Sequence, residues 1–127
     1  MKAKGVIVQP IKFAPKDAID LLEKFFRQNG ITIYARIDQQ AEAANNGTKI
    51  KPLVFLLFGN PAKGGPVMVE NPLAALDLPL KVIAWQDEKL NNYIAFNDIN
   101  YLASRYSLSN SAAQLIDIGA VILKILK

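Results

Sequence analysis

The 127-residue chain contains no cysteine and no histidine. Without cysteine there are no structural disulfides, thiolate zinc sites or cysteine nucleophiles. Without histidine there is no Ser-His-Asp triad, no imidazole metal ligand and no proton shuttle poised near neutrality. Long apolar runs are also missing. Leu53–Phe58 and Ile118–Leu123 fall far below the ~20 residues that cross a bilayer. Val6–Val8 near the N-terminus is shorter than the ~7–15 apolar residues of a secretory leader. No four basic residues stand in a row, so the clustered stripe of a nucleic-acid binder is absent. These absences predict a soluble, cytoplasmic protein with no metal, no cofactor, no nucleic-acid partner and no membrane association.

What remains is a chain able to bury one core. Apolar residues make up 51% and charged residues 20%, which excludes a disordered chain, and the length suits a single domain over residues 1–127. The net charge of +4 is uneven: residues 1–63 carry ten Lys/Arg and five Asp/Glu, and residues 64–127 carry five and six. The lysines are scattered singly, as on a solvated face, although a basic half can also steer an acidic partner.

Hydrophobic periodicity divides the chain into elements. Gly5–Gln9 reads as a strand ended by Pro10, with Ile11 and Phe13 as an edge extension past a bulge. Pro15 opens a helix whose Ala18, Leu21, Leu22, Phe25 and Phe26 recur at three- and four-residue spacing, and Gly30 closes it. Ile31–Asp38 alternates, with Ile31, Ile33, Ala35 and Ile37 on one side and Thr32, Tyr34, Arg36 and Asp38 on the other. A short helix over 39–46 follows. Leu53–Phe58 reads as a strand covered on both faces. Phe58–Pro66 reads as a glycine-rich turn, with a short helix starting at Pro66. Leu80–Gln86 and Asn92–Asn97 form a hairpin. Asp98 caps a helix over 99–106, and Ser111 with Gln114 forms a capping box for a last helix of residues 111–126. Hairpin-joined strands with segregated helices indicate an α+β fold.

Several motifs occur in a particular order: Arg36-Ile37-Asp38, FGNPAKGGPVM over 58–68, ALDLPLKVIAWQDE over 75–88, and YIAFND over 93–98 leading into Tyr101-Leu102-Ala103-Ser104-Arg105. Over about residues 6–110 they resemble the family called domain of unknown function 302. The resemblance implies an antiparallel sheet of about five strands with helices packed mainly on one face, similar to one half of the TATA-box-binding protein. It also implies a tendency to form homodimers, and it implies no reaction. Gln39 and Tyr106 stand where the family commonly has histidine, so no imidazole role carries over.

Two constellations suggest chemistry. In the first, Asn60, Lys63 and Gly64 of the glycine-rich turn, with Arg36 and Asp38 of the preceding strand, are candidate ligand-binding residues. Glycines allow close backbone approach, and Arg36 and Lys63 attract an anionic head. Each also has a plainer reading, as turn punctuation, a strand-end ion pair or a helix cap. In the second, Asp77 and Lys81 are the candidates for carboxylate/lysine catalysis, against the plainer reading of a capped turn and an outward lysine. The expected function is a homodimeric binding module for a small anionic or polar-headed ligand. The alternatives are an interaction module without a ligand site, to which the apolar last helix points, and an enzyme working through Asp77 and Lys81.

Overall fold

Residues 3–127 are described in a computed structural model. Five antiparallel strands form one sheet in the order β1-β5-β4-β3-β2. The strands are β1 (Val6–Ile11), β2 (Thr32–Asp38), β3 (Leu53–Gly59), β4 (Leu80–Gln86) and β5 (Asn92–Asn97). The helices are α1 (Pro15–Gln28), α2 (Gln39–Asn45), α3 (Pro61–Glu70), α4 (Ile99–Arg105), α5 (Asn110–Leu115) and α6 (Gly119–Ile125), with a 3-10 turn at Pro72–Asp77. The α+β class and the antiparallel sheet agree with the sequence reading.

Strand periodicity gives the sheet two different faces. On one, Val54, Leu56 and Phe58 of β3, Val82 and Ala84 of β4, and Ile94 and Phe96 of β5 are buried. They form one core with Ala18, Ile19, Leu22 and Phe26 of α1 and Ile122 of α6. The Phe26 and Phe58 rings stack with centroids 4.4 Å apart. The other face carries Phe55, Ile83, Trp85 and Tyr93, which are half-buried, and Trp85 stacks on Tyr93 at 5.1 Å. A second, smaller core of Val67, Ala74, Leu102, Tyr106, Ala112 and Ile116 joins α3, the 3-10 turn, α4 and α5.

Four local expectations are corrected. Pro10 does not end β1: the strand pairs with β5 from Val6 to Ile11, Pro10 lying opposite Tyr93. β1 is an edge strand, where a missing N–H costs no ladder bond. The alternation of β2 is broken by a bulge at Tyr34, so that Ile33 pairs with Phe58 but Ala35 pairs with Leu57. Directly paired residues share a face. Ile33 therefore points to the helices, while Ala35 and Ile37 point to the open face.

The glycine-rich turn is instead the helix α3. The Asn60 side chain accepts from the Ala62 N–H at 3.0 Å, and Pro61 takes the first turn. Two glycines and an internal Pro66 cost this helix several kcal/mol of propensity, at ~1 per glycine and ~3 for proline. Tertiary contacts offset the cost: Val67 is fully buried, and α3 packs against α5 and the 3-10 turn. Finally, the last helix is two helices. Ser109, rather than Ser111, caps α5 by accepting from the Ala112 N–H at 3.2 Å. The Glu70 carboxylate receives the Ser109 N–H and its hydroxyl, tying α5 to the end of α3. After Ile116–Ile118 the chain restarts as α6, at Gly119. A Cβ there would lie 2.7 Å from the Phe96 ring, so glycine lets α6 sit directly on β5.

Truncating the ring stack should damage the main core most. Phe26→Ala is expected to lower the unfolding free energy by about 3–5 kcal/mol in urea denaturation. A loss below about 1 kcal/mol would contradict the assignment of Phe26 to that core.

Candidate functional site

The break between α5 and α6 leaves the helix layer open at one end of the sheet. The opening is a cavity of about 540 Å³ between the end of α1, the end of β3, α3 and the α5–α6 link. Each element contributes for a local reason. Helix α1 ends at Asn29 and Gly30 turns the chain with φ of 72°, which leaves Phe25 and Ile31 flanking the gap. β3 brings Phe58 to the floor, and Leu80 at the start of β4 lies beside it. The link supplies Ile116 and Ile118, and α6 adds Val121. The volume lies within the ~300–1,000 Å³ usual for small-molecule sites.

Of the residues singled out in the sequence, Asn60, Lys63 and Gly64 line this cavity. Lys63 is exposed and takes part in none of the ion pairs among the described residues. Gly64 lies within α3, and a Cβ there would meet only Leu78 Cδ1, at 4.0 Å. A side chain at 64 thus starts free of a backbone clash, beside Leu78 of the cavity wall.

Arg36 and Asp38 are not brought to the cavity. The Arg36 guanidinium lies 2.7 Å from Asp20 and 3.2 Å from Glu23, both on α1. Hydrogen bonds from Lys16 and Arg36 hold the Asp20 carboxyl below its ordinary value. Burial pushes Glu23 up, but Arg27 and Arg36 more than offset it, so it too lies low. Partial burial disfavours the charged Arg36, and the two carboxylates outweigh that and raise its pKa. Asp38 caps α2 by accepting from the Ala41 N–H at 3.0 Å. Both residues thus occupy the plainer roles of ion pair and helix cap.

Asp77 and Lys81 face different neighbours. Asp77 accepts from the Tyr106 hydroxyl and from Arg105 at 3.1 Å. Burial, and then the Asp77 carboxylate, raise the Tyr106 phenol above its ordinary value. Lys81 instead extends over the Phe55 ring, at 4.7 Å from its centroid, on the open face of the sheet. The pair shares no hydrogen-bond partner. No cluster of three potential metal ligands occurs among the described residues.

Most of the cavity wall was not singled out in the sequence. Phe25, Ile31, Leu80, Ile116, Ile118 and Val121 carry no chemistry that a motif could flag. Phe25, Ile31 and Leu80 read as ordinary helix and strand positions, and Ile116, Ile118 and Val121 showed only as part of the apolar last helix.

Over residues 7–124 the sequence matches the family described as Domain of unknown function DUF302. The chain belongs to that family. A crystal structure of an uncharacterized conserved DUF302 protein from Bacillus stearothermophilus superposes with a TM-score of 0.84 at 21% identity, covering 98% of this chain and all of that one. That likeness concerns the fold. Among curated proteins, the chain is 28% identical over 108 residues to fluoride-specific ion channel FluC 1 of Brucella suis biovar 1 (strain 1330). The same identity holds for FluC 1 of Brucella abortus biovar 1 (strain 9-941). In both, 85% of this chain is aligned, but it spans only 42% and 40% of those proteins. No helix among the described residues is long and apolar enough to cross a membrane.

The Arg36 ion pairs should be visible as a pH-dependent contribution to stability. The lowered carboxylates stabilise the fold above their ordinary values of 3.8 and 4.5, and that contribution is lost as pH falls through the lower folded values. Arg36→Ala should therefore cost about 1 kcal/mol or less at neutral pH, since the groups are partly exposed. In urea titrations the gap to wild type should shrink as pH falls below those ordinary carboxylate values. A gap unchanged by acid would contradict the pairing.

Proposed function

We propose that this protein is a binding module for a small ligand with an apolar body and an anionic or polar head, held in the cleft beneath the α5–α6 link. One observation carries this reading: a cavity of about 540 Å³, walled mostly by apolar side chains, with Lys63 at its rim free of any carboxylate partner among the described residues. An apolar pocket with few polar groups is the usual design of small-molecule sites, and an unpaired ammonium at its edge selects for negative charge. Asn60 and Gly64 belong to this site. Arg36 and Asp38 brace it from a distance. Enzymatic use of Asp77 and Lys81 is not favoured, because each already has a separate structural partner.

The probe suited to this test is anilinonaphthalene sulfonate, which joins an aromatic body to a sulfonate. The native protein should bind it with enhanced fluorescence. Gly64→Leu should abolish that binding and leave the fold as stable or up to about 1 kcal/mol more stable, because leucine favours a helix over glycine. Lys63→Gln should weaken binding a few-fold. Unchanged binding in a stable Gly64→Leu protein would overturn the site.

The open face of the sheet supports a second element of the reading, a homodimer. Ile37, Phe55, Ile83, Ala95 and Val8 lie in register across all five strands, beside the Trp85–Tyr93 stack. Apolar rows of this kind are commonly covered by a partner. A second copy, stacking sheet on sheet, would bury them. Light scattering should then report a dimer for the native chain and a monomer for Ile83→Glu; a monomeric native protein would refute this element.

The FluC relatives support reading the fold as a unit that can be part of a larger protein. No channel is assigned to this chain. A cysteine-free chain suits the reducing cytoplasm, the compartment this reading assumes.

A further inference from the structure

A second cavity adjoins the cleft. It has a volume of about 220 Å³ and lies on the far side of Ile116–Ile118, reaching toward Ile7, Leu102 and Leu123. The two cavities share Phe58 and Leu80 as floor and Ile116, Asp117 and Ile118 as roof. They lie on either side of this strap of three residues. The lining is mostly apolar; its uncharged polar side chains are Asn29, Tyr34, Asn60 and Gln114 in the larger cavity and Asn97 in the smaller. Charge appears only at exposed positions. Lys81 lines the second cavity but carries its ammonium over the Phe55 ring, on the open face of the sheet. Lys63 lines the larger cavity alone, whereas Asp117 sits on the strap and lines both. Neither takes part in an ion pair among the described residues.

We infer that the ligand is a single-chain amphiphilic carboxylate, its head at Lys63 and its alkyl tail running beneath the Ile116–Ile118 strap into the second cavity. The inference rests on the reading of the cleft as a ligand site. Shape argues for a flexible linear tail, since a rigid ring system could not pass beneath a three-residue strap to reach both cavities. The electrostatics set the direction of the ligand. A carboxylate head under the strap would face Asp117 and be repelled; at the α3 end it faces Lys63 and is attracted.

A homologous series of alkyl carboxylates below their micelle thresholds, measured by calorimetry, tests both features. Affinity should rise about fourfold per methylene from hexanoate to decanoate, the increment expected for burying each methylene in an apolar site. Lys63→Gln should weaken decanoate about threefold to fivefold and leave decanol unchanged, and Asp117→Asn should not weaken decanoate. Decanoate binding no tighter than hexanoate would place the end of the tail before the strap and overturn this inference, while the ligand-site reading stands. Decyltrimethylammonium binding as tightly as decanoate would overturn the carboxylate head alone. If no member of the series binds while the sulfonate dye binds and Gly64→Leu blocks it, only the amphiphile inference fails. If neither the series nor the dye binds, the site itself fails.

Discussion

Everything distinctive about this molecule follows from an incomplete helix layer. Two anchors pull the C-terminal segment in different directions. Glu70 and the Val67 core hold α5 against α3, while Gly119 lets α6 settle onto Phe96 of the sheet. One straight helix cannot satisfy both, so the chain breaks at Ile116–Ile118 and spans the end of β3 as a strap. The apolar floor formed by Phe58 and Leu80 is therefore roofed without being filled. Protein interiors normally close such gaps, because unfilled apolar space forfeits packing energy. A gap retained among well-packed elements is thus the feature that most needs a functional explanation.

The same constraint separates structural charge from available charge. Arg36, Asp38 and Asp77 are spent on ion pairs, a helix cap and a buried phenol. Each secures an element bordering the cleft: Arg36 ties β2 to α1, and Asp77 ties the 3-10 turn to α4. Lys63 is attached to the wall itself and has no ion-pair partner among the described residues. On the proposed reading, such a site discriminates by shape and apolar contact, with one charge setting orientation, and its supports are not interchangeable with its lining.

The sheet and the first two helices were legible in the sequence because their signals are local. The period-two alternation of Leu80–Gln86, the three- and four-residue spacing of Ala18–Phe26 and the Gly30 cap all survive folding with boundaries shifted by a residue or two. Three features were not legible because they are set by distant contacts. The Gly64-Gly65-Pro66 run reads as a turn on propensity, and the burial of Val67 in the second core, with packing against α5 and the 3-10 turn, makes it helical. The β2 bulge at Tyr34 depends on pairing with Gly59 and Phe58. The break in the last helix depends on Glu70, which is 39 residues from Ser109. The site was half legible for the same reason. Asn60, Lys63 and Gly64 stood out as chemistry, while the apolar wall was indistinguishable from ordinary core until the topology left it uncovered.

The central claim is that the uncovered end of the helix layer is the ligand site. Methyl NMR of isoleucine, leucine and valine during titration with decanoate addresses it most directly. Shifts should concentrate on Leu80, Leu115, Ile116, Ile118 and Val121 around the strap and spare Val8, Ile37 and Ile83 on the far side of the sheet. Shifts confined to that far side, or none at saturating decanoate, would contradict it.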